Sequence, residues 1–306
     1  MIVRPRPGLL AILVTLHGSI LPQVALKILF VTGIACLVVA AERHWPDLLA
    51  LHAGVAPFTL VGLALSIFLS FRNNACYERW WEARKQWGLL IVAMRGLART
   101  IPALLPGEAQ EARRRRLLRR LSGFAHALHA SLRAQDPGAA AAPWLPADEA
   151  RAAAAHPDPA DAALRHLAAD LGEALRAGEI SDVLYGVFEA KLDALSRIQA
   201  ACERIKGTPL PFAYTLLIYR TSWLYCALLP FGLATSLGWA TPLITALVAY
   251  TFFGLDALGD ELEEPFGLEA NDLPLNALLR TVDGIILDAL GEPAPPAVLP
   301  ESFVLQ

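Results

Sequence analysis

Carboxylates crowd one short stretch of the chain: Asp256, Asp260, Glu261, Glu263, Glu264, Glu269 and Asp272, in GLDALGDELEEPFGLEANDLPLNAL. Pro265 and Gly267 break the helix that carries the first of them, so Glu269 and Asp272 fall on a turn beyond its C-terminus. That end of a helix carries partial negative charge, and acids there need a cation to offset them. A hard metal ion held by carboxylate oxygens is one candidate, with Glu261, Glu264, Glu269 and Asp272 as its ligands. Pairing with the arginines of FRNNACYERWWEAR, which begins at Phe71, is the other and simpler one. Catalytic patterns are otherwise thin. His126 and His129 share a helix face at i, i+3, but no carboxylate motif partners them. The run ELEE (Glu261 to Glu264) has the look of a di-iron carboxylate helix, yet such sites need a Glu-x-x-His motif on each of two helices, and neither is present. No P-loop, dinucleotide fingerprint or nucleophile elbow occurs. Cys36, Cys76, Cys202 and Cys226 lack CxxC spacing and read as reduced thiols. The chain therefore reads as a protein without a catalytic residue or a cofactor.

The elements that carry these residues belong to a membrane protein. Of 306 residues, 55% are hydrophobic and 18% charged, with a mean hydropathy of +0.44. Soluble domains carry nearer a quarter charged residues. The formal net charge of −3 gives no reason to expect nucleic acid as a partner. Four apolar runs stand out: Val24 to Ala41, Val55 to Phe71, Phe212 to Ala234, and Trp239 to about Leu258. Each is near the length needed to cross a hydrocarbon core of about 30 Å. Short connections let runs one and two, and runs three and four, form helical hairpins. Arg4 and Arg6 precede the first run, and Arg72, Arg79, Arg84, Lys85, Arg95 and Arg99 follow the second. The positive-inside tendency places both termini and the long middle segment in the cytoplasm. The stretch Gly8 to Val14 reads as an amphipathic segment on the cytoplasmic face rather than a signal peptide, because Pro5 and Pro7 interrupt its basic part. Arg220, inside run three, is expected to face the protein interior or water.

The middle segment is helical and soluble in character. RRRRLLRR (Arg113 to Arg120) reads as a solvated helix face, with contact to anionic headgroups or nucleic acid as the alternative. The Ala/Pro-rich stretch 135–163 reads as a mobile loop with short helical pieces. No strand alternation appears, so the fold is all-α. The expected divisions are 1–75 (N-terminal segment and the first two membrane helices), 76–207 (a cytosolic helical domain), 208–258 (the last two membrane helices) and 259–306 (an acidic cytosolic segment and tail).

The longest uninterrupted element is Val55 to Trp87, which starts apolar and continues, without a Gly or Pro break in its polar half, into an Arg-, Glu- and Trp-rich helix that leaves the hydrocarbon. It carries two stripes at helical spacing. Leu63, Ile67 and Phe71 recur every four residues, and Gly62, Ser66 and Ser70 run beside them. Small residues at that spacing let another helix approach closely in a membrane. The bulky stripe then turns toward a common axis, where rings from several copies would form an apolar constriction. The same three residues could equally face lipid or a core, and periodicity alone does not decide.

Three long motifs, SFRNNACYERWWEARKQWG (Ser70 to Gly88), TPLPFAYTLLIYRTSWLYCALLPFGL (Thr208 to Leu233) and LGDELEEPFGLEANDLPLN (Leu258 to Asn276), resemble the bestrophin family, in particular its bacterial members. With HGSIL at His17 to Leu21 they cover most of the chain. The resemblance implies a homopentameric ion channel of the bacterial inner membrane, with four membrane helices per subunit and a helical cytosolic vestibule. Its partners would be permeant monovalent ions, the lipid bilayer and further copies of itself. It also implies an apolar neck at Leu63, Ile67 and Phe71, and a cytosolic constriction at Val183, with Ile180 as the second choice. The animal channels pass chloride and other anions, and bacterial members could pass cations. Animal relatives carry consecutive acids after Pro-Phe-Gly that help clasp calcium; Ala270 and Asn271 replace two of them here, which implies calcium-independent activity. Two rival readings are a membrane-embedded carboxylate–metal enzyme and a non-conducting scaffold or sensor.

Overall fold

The computed structural model describes residues 1–4, 8, 15–16, 18–45 and 55–306. Except for Gly8, the segment read as amphipathic (Gly8 to Val14) lies outside the described residues, as do His17 and the connection 46–54. Among the described residues the protein is all-α, with no strand beyond isolated bridges of Val304 with Ile2 and Glu301. Helices α1 (Leu21–His44), α2 (Ala56–Leu104), α3 (Glu111–Leu132), α4 (Pro137–Ala141), α5 (Ala147–Ala155), α6 (Pro159–Arg176), α7 (Asp182–Gly207), α8 (Phe212–Leu237), α9 (Thr241–Glu263) and α10 (Leu275–Leu290) follow in order. Three segments are long and apolar enough to cross a membrane: α1, α2, and Phe212–Glu263, which holds α8 and α9 around a short 3₁₀ turn.

Two compact units divide the chain. The first comprises 4–80 and 209–265, the second 1–3, 81–208 and 266–306. In the first unit, α1, the start of α2, α8 and α9 share a core of Val24, Val31, Leu65, Leu69, Ile218, Cys226, Phe252 and Phe253. Prolines at the first helical positions of α1 and α9 start those helices where a missing N–H is no loss.

In the second unit the helix α3 is central. Its RRRRLLRR run is not a solvated face. Leu117, Leu118 and Leu121 are buried, and Arg120 is only 6% exposed. The reason is local charge balance. Arg120 Nη1 donates to Asp170 at 2.5 Å and its Nε to Glu149 at 2.8 Å, while Arg113 Nε donates to Asp170 at 2.8 Å. Burial alone would push the Asp170 carboxyl up. The hydrogen bonds from Arg116, Arg120 and Arg113 outweigh it and hold that carboxyl below the usual carboxylate range. Arg115 and Arg119 reach Glu292 at 2.8 Å. The run thus works as an internal clamp, and it is not free to bind an external polyanion.

The stretch 135–163 contains the short helical pieces expected of it, and they are packed rather than strung along a loop. It folds into α4, a 3₁₀ turn, α5 and the start of α6, with Ala141, Ala153 and Ala160 buried. Asp136 and Asp158 cap α4 and α6, accepting from Ala139 N and from Ala160 N and Asp161 N. Small side chains let the pieces pack closely; a Cβ on Gly138 would lie 2.8 Å from Ala154 Cα. What reads as low complexity is a set of close-packing helices.

One buried histidine on α3 makes stability pH-dependent. His129 Nε2 lies 2.9 Å from Asn276 Oδ1, and its ring meets Trp87 edge-on. Burial, with Arg133 adding to it, pushes its pKa down to about 4. A base whose folded pKa is depressed binds its proton in the unfolded chain first. Its contribution is therefore complete above the unfolded value near 6.5 and is lost as pH falls toward 4. That contribution is about 3 kcal/mol. Thermal midpoints should fall steadily between pH 7 and pH 4.5, and His129→Gln should flatten that slope; an equal slope in both proteins would contradict the assignment.

Candidate functional site

The helix α2 holds the central candidate residues, and its buried residues show how it is oriented. Gly62, Leu65, Leu69, Arg72 and Cys76 are buried, at alternating spacings of three and four. Ala83, Trp87, Leu90, Met94, Leu97 and Ile101 continue the same alternation further along the helix. This is a heptad-type seam, which keeps one face of a long helix turned inward. The rest of the helix is left outside. Leu63, Ile67 and Phe71 are 59%, 47% and 63% exposed. They lie off the seam, and among the described residues they are left largely uncovered.

The small stripe does not pack as a unit. Gly62 meets a neighbouring helix, where the Tyr225 ring of α8 occupies the space a Cβ would need. Ser66 and Ser70 are exposed and turn their hydroxyls back to Gly62 O and Ser66 O, each at 2.8 Å. Hydroxyls that satisfy themselves on their own helix need no partner helix.

Directly after Phe71 the chain buries an arginine. The Arg72 side chain is fully buried; its Nη1 donates to Asp256 Oδ1 at 2.8 Å and to Asp256 O at 3.2 Å. Its Nη2 bonds Asp260 and lies 3.5 Å from Glu263. Asn73 Nδ2 donates to Leu255 O at 3.0 Å, and Arg79 Nε to Glu263 O at 2.7 Å. Glu263 Oε1 accepts from Leu210 N at 3.0 Å. Gly259 makes this crossing possible: a Cβ there would lie 2.7 Å from Asn73 Oδ1 and 3.1 Å from Arg72 Nη1. A planar guanidinium forked between two carboxylates fixes direction as well as distance. It therefore sets the rotation of α2 about its own axis, and with it the direction in which Phe71, Ile67 and Leu63 point.

The carboxylates named as metal candidates are placed differently. Glu261 accepts from Gln23 Nε2 at 2.7 Å, and Asp272 Oδ2 accepts from Glu269 N at 2.7 Å in the turn after Pro265. Glu264 caps the end of α9. Among the described residues no group of three or more His, Cys, Asp or Glu side chains is arranged to hold a metal ion. Arginine supplies the positive charge at Asp256, Asp260 and Glu263.

The two residues named for a cytosolic constriction separate cleanly. Val183 lies in the first turn of α7 and is 72% exposed, whereas Ile180 is 4% exposed. Ser181 caps the helix by accepting from Leu184 N at 3.3 Å. The cap fixes the start of α7 between them, so one side chain turns inward and the other outward. Along the same unit, α2 and α7 line an open groove of about 820 Å³ with Leu89, Val92, Ala93, Val187 and Ile198, and Arg99 and Lys191 beside them.

Sequence reasoning named the acids of α9 and the arginines of α2 but missed which ones meet. The signal was present in spacing: Arg72 falls on the three–four seam, where a buried charge must find a partner, and Gly259 lies between Asp256 and Asp260.

Known proteins resemble this chain over most of its length. The sequence profile described as Bacterial/Fungal Bestrophin protein matches residues 1–288. A voltage-dependent anion channel-forming protein of Mesorhizobium japonicum is 46% identical over 300 residues, covering 98% of this chain and 95% of the relative. The voltage-dependent anion channel-forming protein YneE of Escherichia coli K12 is 39% identical over 304 residues, 98% of each. Among solved structures, a bacterial bestrophin homologue from Klebsiella pneumoniae is 38% identical and superposes with a TM-score of 0.83, covering 88% of this chain and 99% of that one. Matches of this length and identity lead to one conclusion: the chain belongs to the bacterial and fungal bestrophin family.

Proposed function

We propose that this protein is a passive, calcium-independent channel for small monovalent anions, built as a homopentamer in the bacterial inner membrane. The chain is a channel-forming protein and not an enzyme. The observation that carries the reading is the stripe of Leu63, Ile67 and Phe71. It is apolar and exposed, on a helix whose opposite face is locked by the seam and by Arg72. Such a stripe gains nothing in a monomer, and around an axis it forms stacked apolar rings that gate by wetting. Its relatives' designation as anion channel-forming proteins supports the choice of ion. Phe71 would then present its electropositive ring edge to the ion.

In this reading α1, the first part of α2, α8 and α9 are the membrane helices, within 1–75 and 208–258. Segments 76–207 and 259–306 lie in the cytoplasm with both termini. The exposed apolar groove between α2 and α7 supports self-association. Val183 forms the second constriction, since Ile180 is committed to the core. Val183→Ala is expected to raise current without changing the thermal midpoint. Ile180→Ala should instead cost about 2–4 kcal/mol of stability. Single-channel recording with parallel melting curves separates the two, and the reverse pattern would reassign the constriction.

The function is tested by chloride efflux from proteoliposomes over a calcium titration. Efflux above empty liposomes, unchanged from chelator to millimolar calcium, is expected. No efflux would overturn the channel reading, and a steep rise at micromolar calcium would overturn calcium independence.

A further inference from the structure

The face of α2 that carries Leu63, Ile67 and Phe71 does not end at Phe71. Asn74 and Glu78 lie seven residues beyond Ile67 and Phe71, and on a helix held by a three–four seam a step of seven returns to the same face. Both are exposed, as Ile67 and Phe71 are. At about 1.5 Å of rise per residue, Glu78 sits about 10 Å along the helix from Phe71, toward its polar half. Within two turns of Phe71 the stripe therefore changes from apolar side chains to an amide and a carboxylate.

The charge on Glu78 is left uncompensated within the protomer. Its Oε1 accepts from Asn74 Nδ2 at 3.1 Å, a neutral donor one turn back on the same helix. Among the described residues its carboxylate meets no cation. The arginines on either side of it along α2 are committed elsewhere: Arg72 to Asp256 and Asp260, and Arg79 Nε to Glu263 O. Asp256, Asp260 and Glu263 share the charge of Arg72, and Glu78 has no such partner. An unpaired carboxylate is costly against hydrocarbon and at ease beside water. This favours a wet axis over lipid as what the lower end of the stripe faces.

We propose that Glu78 is a residue that makes anion flow depend on direction: one carboxylate from each subunit forms a negative ring at the cytosolic mouth of the apolar neck. This rests on the homopentameric channel proposed for the chain. Leu63, Ile67 and Phe71 carry no charge, so the field at the mouth decides how many ions of each sign reach them. A negative ring thins out anions on its own side. Chloride leaving the cytosol meets the ring before the neck. Chloride moving the other way meets it only after the dehydrated constriction has been crossed. The ring therefore holds back outgoing chloride, which is the inward current at negative membrane potential.

The test is current through inside-out patches excised from giant bacterial spheroplasts that express the full chain, in symmetric potassium chloride at low and at molar concentration. Screening shortens the reach of the ring from about 30 Å at 0.01 M salt to about 3 Å at 1 M. At low salt Glu78→Gln should raise the inward current about threefold and leave the outward current nearly unchanged. Asn74→Asp, which adds a second charge to the same face, should lower the inward current below that of wild type. At molar salt the three proteins should agree. Both positions are exposed, so the melting temperatures should match as well. Wild-type chloride current that Glu78→Gln leaves unchanged at low salt, or raises equally in both directions, would overturn this proposal and leave the channel reading standing. Wild-type patches without current would overturn both.

Discussion

Replacing Ile67 and Phe71 together by alanine is expected to raise single-channel conductance several-fold and to shorten closed dwell times. Both side chains point away from the protomer's core, at 47% and 63% exposure, so their removal leaves no cavity among Leu65, Leu69 and Ile218. The melting temperature should therefore stay close to that of wild type. An apolar constriction is a barrier because water leaves it, and an ion must then shed its shell. Smaller side chains admit water and lower that barrier. Leu65→Ala, one turn away but on the seam, should do the opposite: it should cost about 2–5 kcal/mol of stability and leave conductance per open channel unchanged. Paired recording and melting of these variants separates a pore-lining stripe from a lipid-facing one. A lipid-facing stripe would leave conductance unchanged in every variant.

Loss of Arg72 should be the most damaging single change. Arg72→Ala leaves Asp256, Asp260 and Glu263 facing one another without their cation, two of them largely shielded from water. Breaking a buried ion pair on one side costs about 3–5 kcal/mol. Removing both partners costs far less, because no charge is then stranded. Arg72→Met with Asp256→Leu should therefore recover most of the lost melting temperature. Function should not recover with it. The fork that sets the rotation of α2 would be gone, and conductance should remain low or variable although the protein folds. A double variant that melts and conducts like wild type would show that Arg72 does not orient the helix.

Much of this was legible in the order of residues, for reasons that differ from element to element. The long apolar helices announce themselves by length and hydropathy, so α1, α8 and α9 match their apolar runs within a few residues. The long helix was read only to Trp87, at the end of its Arg-, Glu- and Trp-rich stretch, yet it continues to Leu104. What carries it on is the seam through Leu90, Met94, Leu97 and Ile101, a three–four spacing that hydropathy alone does not register. The arginine run was misread for a related reason. Composition shows six arginines in eight residues (Arg113 to Arg120), but the acids that bury Arg120 lie on α5 and α6, remote in sequence. The Ala/Pro-rich stretch was read as a mobile loop with short helical pieces; the pieces are there, and their packing was not foreseen because alanine and proline look featureless. In the fold the prolines open helices capped by Asp136 and Asp158, and small residues let the helices pack closely. For the candidate site, the stripe at Leu63, Ile67 and Phe71 was visible as spacing. The direction it faces was not, since that depends on the partners of Arg72.

The most direct test of an anion-conducting pore is the reversal potential of the reconstituted protein in a planar bilayer under asymmetric potassium chloride. The account predicts current that reverses at the chloride equilibrium potential, with the same reversal and larger currents for the Ile67→Ala, Phe71→Ala protein. Reversal at the potassium equilibrium potential would contradict anion selectivity, and the absence of current in both proteins would contradict conduction itself.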